Sequence, residues 1–517
     1  VRRGKTIERI LIRGVNWIGD SVLTLPAIKA IRRAFPDAEI SLLVKPWVSD
    51  IFKGNPDIDE IILYNINRFD LARDLRRKGF ESAILFQNAF DAAFITWLAG
   101  IPERIGYKTD CRGPLLTKAI SVERQTLRRH QVYYYLNLLN SIGIPTPYSQ
   151  PYINLSRDEK EWAKNLIKNS PIRDTDSPIV GFNPGATYGP SKRWPVERFA
   201  ELAEKVIHEL KGRVILFGSK DEIEIADSII RRLEAQGSDL KKDLLVMTGK
   251  TNLRELSALF SELDLLVTND SGPMHIASAL FVPIVAIFGS TDPSTTSPFG
   301  EGHRIVQKAL PCSPCLKRRC PEGHFRCMMD ITIEDVFSAI KEILPTNRAV
   351  FLDRDGTIIE DKNYLNSFDE LRIIEGIREE LRRLRANGFK LIGITNQSGI
   401  ARGIVNEEFV IASNNYLKRE LEIDDFYYCP HHPDEGCPCR KPEPMLLFKA
   451  SLEHRIKKRS SYVIGDKESD MELARNAGIK GILITSTPPS RTSASFVTKE
   501  MKDAVEWILK DKNCQET

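Results

Sequence analysis

The sequence predicts an α/β protein built as three doubly wound parallel-sheet units in series. Short apolar runs alternate with amphipathic stretches from Arg9 onward, and that alternation restarts near Ile179 and again near Ala349. Such alternation implies parallel strands joined by crossover helices. The most telling stretch is Phe351-Leu352-Asp353-Arg354-Asp355-Gly356-Thr357, where two carboxylates one residue apart follow an apolar strand. Open α/β sheets bind ligands at the carboxyl ends of their strands.

The chain has 517 residues, room for three or four domains. Apolar content of 42% and charged content of 28% describe ordinary globular protein. A net charge of +4 gives no support to nucleic-acid binding. The longest apolar run, Ala277 to Phe288, contains Ser278 and Pro283 and falls short of the ~20 residues of a membrane span. No charged-then-apolar leader opens the chain, so the expected location is the cytoplasm, with attachment to a membrane surface left open. Seven of the nine cysteines fall in two tight clusters, which suggests metal sites before disulfides. Cys111 and Cys514 stand alone and read as structural or incidental.

In the first unit the expected strands are Arg9–Arg13, Glu39–Val44, Ile61–Tyr64 and Ser82–Gln87, with helices Ser21–Ala34 and Ala72–Lys78. A polar stretch, Ser156 to Ser177, carries a connecting helix. The second unit runs through strand Ile179–Asn183, helix Val196–Leu210, strand Arg213–Gly218, helix Glu222–Ala235 and strand Leu244–Thr248. Helix Asn252–Ser261, strand Leu265–Thr268, helix Met274–Leu280 and strand Ile284–Phe288 complete it. The third unit has strands Ala349–Leu352, Lys390–Thr395, Ser461–Ile464 and Gly481–Thr485.

Four pieces of the third unit converge if its strands are parallel neighbours: Asp353 with Asp355, Thr395-Asn396, Arg440-Lys441, and Asp466-Lys467. A carboxylate such as Asp353 can attack phosphorus, with Asp355 as acid and base. Bringing an anion to an anion calls for Mg²⁺, for which Asp353, Asp355 and Asp466 supply hard oxygen ligands. Thr395, Asn396, Arg440, Lys441 and Lys467 offer donors and positive charge to substrate. Between these pieces, Cys429, His431, Cys437 and Cys439 make a closed set of three thiolates and one imidazole, suited to structural zinc. The pattern resembles the haloacid dehalogenase superfamily over about residues 349–485. Within it, the loop Cys429–Pro442 and the run Asn396–Gly403 are similar to D-glycero-D-manno-heptose 1,7-bisphosphate 7-phosphatases. Histidinol-phosphate phosphatases share the motif set, and that substrate stays open.

In the first unit, Gly14-Val15-Asn16-Trp17-Ile18-Gly19-Asp20-Ser21 follows the first strand. The glycines permit a tight turn, Ser21 is placed to cap a helix, and Asp20 could take a proton from a sugar hydroxyl. In the second, Asn183-Pro184-Gly185-Ala186-Thr187 and Lys192-Arg193-Trp194-Pro195 suit a diphosphate. Glu222 sits where an acid can hold ribose hydroxyls. Asp270, Ser271, Gly272 and His275 open a helix whose backbone N–H groups favour phosphate. These pieces resemble the heptosyltransferases of glycosyltransferase family 9 over about residues 8–345, nearer type II than type I. The resemblance implies a GT-B pair of Rossmann-like domains, an ADP-heptose donor, a lipopolysaccharide core acceptor and metal-independent inverting transfer, with peripheral contact at the inner membrane left open. By it Asp20 becomes the general base, Lys192 steadies the departing diphosphate, Asp270 to His275 bind donor, and Glu222 contacts ribose or adenine.

Cys312, Cys315, Cys320 and Cys327, with His324, form a second cluster for which metal and local structural roles both stand open. No His-x-Glu occurs, which excludes a zinc deaminase, and Gly249-Lys250-Thr251 lacks the first P-loop glycine, since Leu244 stands there. The expected organisation is therefore 1–165 acceptor-side GT-B domain, 166–345 donor-binding GT-B domain and 346–517 haloacid-dehalogenase-type phosphatase with a zinc loop. Together these make a bifunctional enzyme acting on ADP-heptose and heptose bisphosphate. The rival is one catalytic module with the other kept as a scaffold.

Overall fold

The computed structural model describes residues 7–172, 177–235, 242–487 and 489–511. Cys514 lies outside them. Two compact units divide the chain, Val1–Ile343 and Leu344–Thr517.

The first unit holds two six-stranded sheets. One comprises β1 (Arg9–Arg13), β2 (Glu39–Val44), β3 (Glu60–Leu63), β4 (Ser82–Leu85), β5 (Glu103–Tyr107) and β6 (Lys118–Ile120), in the order 3-2-1-4-5-6. The other comprises β7 (Ile179–Asn183), β8 (Arg213–Leu216), β9 (Leu244–Val246), β10 (Leu265–Asn269), β11 (Ile284–Phe288) and β12 (Arg304–Gln307), in the order 12-11-10-7-8-9. The second unit holds β13 (Arg348–Leu352), β14 (Phe389–Asn396), β15 (Asp425–Cys429), β16 (Tyr462–Gly465), β17 (Lys480–Ile484) and β18 (Phe496–Thr498), in the order 15-14-13-16-17-18. Renumbered within its own sheet, each follows one winding rule: the first strand is central and the chain reverses direction between strands one and four. That reversal opens a crevice at the strand ends. The central strands β7, β10 and β11 are buried at every position, as expected where helices cover both faces.

Two expected elements differ in outline. The helix foreseen over Ser21–Ala34 is two, Ile18–Leu23 and Leu25–Ala34. Pro26 lacks the N–H that would continue one ladder through the junction. Ser21 is therefore not a cap but a buried residue inside the first of these helices. The helix expected from Met274 starts at Gly272, because Pro273 is tolerated in a first turn.

The connecting helix Arg157–Lys168 opens on a capping box between Ser156 and Glu159. Glu159 also takes both prongs of the Arg254 guanidinium, at 2.7 and 2.6 Å, and the Asn154 carbonyl accepts from the same group at 2.7 Å. A bidentate pair with Arg254 almost buried is costly to break one-sidedly, because Glu159 is only partly exposed and the Asn154 carbonyl also loses its donor. Arg254→Ala should cost about 3 kcal/mol of unfolding free energy, read by urea denaturation. A loss within error of zero would mean the pair is solvated in solution.

Candidate functional site

Asp353 and Asp355 follow β13, Thr395 and Asn396 end β14, and Asp466 follows β16, so strand pairing alone gathers them. Lys441 is buried at their centre. Its Nζ lies 2.5 Å from Asp353 Oδ1 and 2.7 Å from Asp470 Oδ1, and donates to the Ile394 carbonyl at 3.0 Å. Burial works against the ammonium, but the two carboxylates hold it charged, well above the ordinary lysine range. Burial pushes the Asp353 carboxyl up to about 7, opposed by Lys441 and reinforced by Asp470. Asn396 latches the lysine's backbone in both directions: its Oδ1 accepts from the Lys441 N–H at 3.0 Å and its amide donates to the Lys441 carbonyl at 3.2 Å.

Oxygens of Asp353, Asp466 and Asp470 lie within 4.8 Å of one another. Asp466 Oδ1 is buried and accepts no hydrogen bond. An orphaned oxygen beside two more carboxylates fits a hard divalent cation. Asp355, expected in this set, is engaged elsewhere. Arg354 donates to its two oxygens at 3.0 Å each, and Thr395 Oγ1 (3.2 Å) and Gln397 Nε2 (2.9 Å) donate to Oδ2. Arg354 is itself buried against Ser413 and Asn414. Gly356, at φ +94°, leaves the room: a Cβ there would stand 2.3 Å from Asp466 Oδ2. Lys467 points to Asp361 at 2.9 Å and stays half exposed, while Arg440 is partly buried.

The sulfur loop after β15 brings Cys429, His431, Cys437 and Cys439 together. His431 Nδ1 is 3.5 Å from Cys429 Sγ and 3.1 Å from Cys439 Sγ. His432 faces away and caps the short helix Pro433–Glu435. The crowded neighbour Cys437, with burial, pushes the Cys429 thiol up to about 11. Buried thiols that resist ionising one another suit a cation that would hold them as thiolates.

In the first unit, helices Ile18–Leu23 and Gly272–Ser278 face each other. Gly19 makes that possible, since a Cβ there would lie 2.7 Å from the His275 ring, and one at Gly272 would lie 3.0 Å from Ile18 Cβ. Burial raises the Asp20 carboxyl to about 6, against Lys192 and a hydrogen bond from the buried Tyr135. Lys192 Nζ pairs with Asp270 Oδ2 at 2.5 Å, and Thr291 donates to the same oxygen at 2.6 Å. Burial lowers His275 to about 4, so its ring is neutral and its buried Nδ1 lacks a partner. Asn183 donates to Ser271 Oγ at 3.3 Å. Glu222 packs onto Gly185 while its Oε2 accepts from the Ser219 N–H at 2.8 Å. Thr187 is exposed on the loop between them and Lys192.

Sequence reasoning missed Asp470, Arg354, Tyr135 and Thr291. Asp470 carried a usable signal: four residues beyond Asp466, it falls in the first turn of helix Glu468–Ala477 and turns back to the strand end. Tyr135 and Thr291 reach the site from distant segments and carried none.

Known proteins resemble the two units separately. The model for glycosyltransferase family 9 (heptosyltransferase) matches residues 68–326, and a HAD-hydrolase-like model matches residues 438–502. The front is 29% identical over 351 residues to lipopolysaccharide heptosyltransferase 2 of Escherichia coli (strain K12), across 65% of this chain and 98% of that protein. The back is 40% identical over 170 residues to D-glycero-beta-D-manno-heptose-1,7-bisphosphate 7-phosphatase of Helicobacter pylori (strain ATCC 700392 / 26695), across 32% of this chain and 98% of that protein. The solved structure of E. coli ADP-heptose LPS heptosyltransferase II aligns at TM-score 0.57 and 29% identity, over 65% of this chain and 98% of the other.

Proposed function

Because the chain belongs to glycosyltransferase family 9 across its front and to the heptose-bisphosphate 7-phosphatases across its back, we propose one polypeptide with two reactions of lipopolysaccharide inner-core heptose metabolism. The first transfers heptose from ADP-heptose to a core acceptor. The second hydrolyses the 7-phosphate of D-glycero-D-manno-heptose 1,7-bisphosphate. The observation that carries this reading is coverage: both relatives are spanned over 98% of their own lengths. The two also suit one route, since the phosphatase product lies upstream of the donor that the transferase consumes.

In the transferase, residues 1–165 hold the acceptor and 166–345 the donor. Asp20 takes the proton of the acceptor hydroxyl, whose oxygen attacks the anomeric carbon as the bond to the diphosphate breaks, inverting that centre. Tyr135 holds Asp20 in place. Lys192, kept by Asp270 and Thr291, offsets the charge gathering on the departing ADP. Ser271 and Gly272 present backbone to phosphate, neutral His275 packs beside them, and Thr187 and Glu222 contact the nucleotide. No metal enters this reaction. The acceptor is lipid-borne, so the protein works in the cytoplasm against the inner membrane; among the described residues no helix is long and apolar enough to cross it.

In the phosphatase, residues 346–517, Asp353 attacks phosphorus, the bond to the sugar oxygen breaks, and Asp355 supplies that oxygen with a proton. Water then loses its proton to Asp355 and attacks the aspartyl phosphate, freeing phosphate and Asp353. Lys441 lies beside the nucleophile to meet the incoming anion, with Thr395, Asn396, Arg440 and Lys467 around it. Mg²⁺ at Asp353, Asp466 and Asp470 would supply charge neutralisation for two anions meeting. Zinc at Cys429, His431, Cys437 and Cys439 would fix the loop that carries Arg440 and Lys441.

Phosphate release from heptose bisphosphate should exceed that from histidinol phosphate and require Mg²⁺; the reverse preference would sink the sugar assignment. Asp353→Asn should cut phosphate release roughly a thousandfold or more and leave heptosyl transfer intact, so loss of both would argue against separate sites. For Asp20 the charged form is the base. With its carboxyl raised to about 6, transfer should climb with pH through about 6 and level above it. A profile flat down to pH 4.5 would exclude Asp20 as the base. Asp20→Ala should lose about 10²- to 10⁴-fold in rate while donor still binds.

A further inference from the structure

Lys192 has to be held as well as supplied. A lysine side chain is long and flexible and carries its charge at a point, so a single contact leaves that charge free to swing. Asp270, just past β10, supplies one contact at 2.5 Å. The ring of Tyr188 supplies another, since Lys192 Nζ stands 4.7 Å from its centroid. A ring face attracts a cation, and more strongly where water is excluded. The lysine side chain is only 12% exposed. The ammonium thus has a carboxylate and an aromatic ring as neighbours.

The ring is in turn fixed from outside its own segment. Tyr188 Oη donates to the Leu316 carbonyl at 2.9 Å, Ser191 Oγ to the Lys317 carbonyl at 2.5 Å and the Ser191 N–H to the Arg318 carbonyl at 3.3 Å. Three consecutive carbonyls of one loop therefore grip the residues that lead into Lys192. Gly189 lets the two backbones close: its φ is +148°, and a Cβ there would stand 2.5 Å from the Arg318 oxygen. The Arg318 guanidinium also lies over the Tyr188 ring, 5.5 Å from its centroid. From Lys308 to Phe325 the chain forms neither helix nor strand, but this loop is tied to the turn after β11. The Leu316 N–H donates to the Ser290 carbonyl at 2.7 Å, Ser313 Oγ to the Gly289 carbonyl at 2.5 Å, and Ser290 Oγ to Ser191 Oγ at 3.1 Å. Thr291, next in that turn, donates to the Asp270 oxygen that Lys192 meets. The segments after β7, β10 and β11, three adjacent strands, thus hold one another around the ammonium.

We propose, on the reading of Lys192 as the cation that meets the donor diphosphate, that Tyr188 is a positioning residue for that lysine. Its ring holds the ammonium beside Asp270, and the loop from Leu316 to Arg318 holds the ring. Without the ring the ammonium keeps its charge but loses its place, and a diphosphate loses the part of its binding that depends on place. Tyr188 needs no contact with the nucleotide to do this.

Calorimetric titration of the full chain with ADP tests this dependence. Lys192→Ala should weaken ADP binding about 10- to 100-fold, and Tyr188→Leu roughly tenfold. Tyr188→Phe keeps the ring and should recover most of that loss. The double variant Tyr188→Leu/Lys192→Ala should bind no more weakly than Lys192→Ala alone, because a residue that acts only through another adds nothing once the other is gone. A ring with a merely structural role would add its own loss to the lysine's. Should Tyr188→Leu fail to fold, Tyr188→Gln removes the ring at the same half-buried position and takes its place in the cycle. Equal ADP affinity in Lys192→Ala and the parent would overturn the role given to the lysine, and the positioning role with it. If Lys192→Ala binds weakly, three outcomes overturn the positioning role and leave the lysine's standing: Tyr188→Leu binding like the parent, Tyr188→Phe binding as weakly as Tyr188→Leu, or losses that add in the double variant.

Discussion

Every functional group described above depends on one constraint, the parallel winding that each sheet repeats. A parallel sheet aligns all its strand ends in one direction, and a reversal of winding opens a gap between two of them. Asp353 and Asp466 meet because β13 and β16 are paired neighbours across such a reversal. Asn183 and Ser271 meet for the same reason across β7 and β10. The chemistry differs between the sheets, yet the backbone solution that delivers it does not.

Within the last sheet, that convergence creates an electrostatic problem. Four carboxylates crowded at one buried lysine are unstable unless each has a counter-charge or a donor. Lys441 answers two of them, and Asp355 is drawn away by the Arg354 fork. Asp466 is left with an unmatched oxygen. The residual imbalance is local, buried and aimed at the strand ends, which makes it a place for a ligand rather than a flaw in packing. In the front unit the same logic appears in milder form: Asp20 is pushed up by burial, and its relief comes from Lys192 on the facing lobe.

The central strands were legible because burial on both faces leaves continuous apolar runs, as in Ile179–Asn183 and Ile284–Phe288. The edge strands were not. Lys118–Ile120 and Phe496–Thr498 are only three residues long, and Arg304–Gln307 is half exposed, so neither length nor alternation distinguishes them from loop. β15 was hidden by an acidic start and by cysteine at its end, which drew attention to the sulfur loop. Among site residues, those carried on motifs at strand ends could be named, with the two-residue spacing of Asp353 and Asp355 the plainest. Those whose role is contact across the fold could not. Arg354 reads as an ordinary turn residue until its guanidinium is seen between Asp355 and Asn414. Tyr135 lies on a helix 115 positions from Asp20, a distance no local pattern encodes.

The division at Ile343 and Leu344 falls outside both sets of active groups. Everything assigned to sugar transfer precedes it, and everything assigned to phosphate removal follows it. Cutting the chain there would leave every group assigned to one reaction on the same polypeptide as its companions.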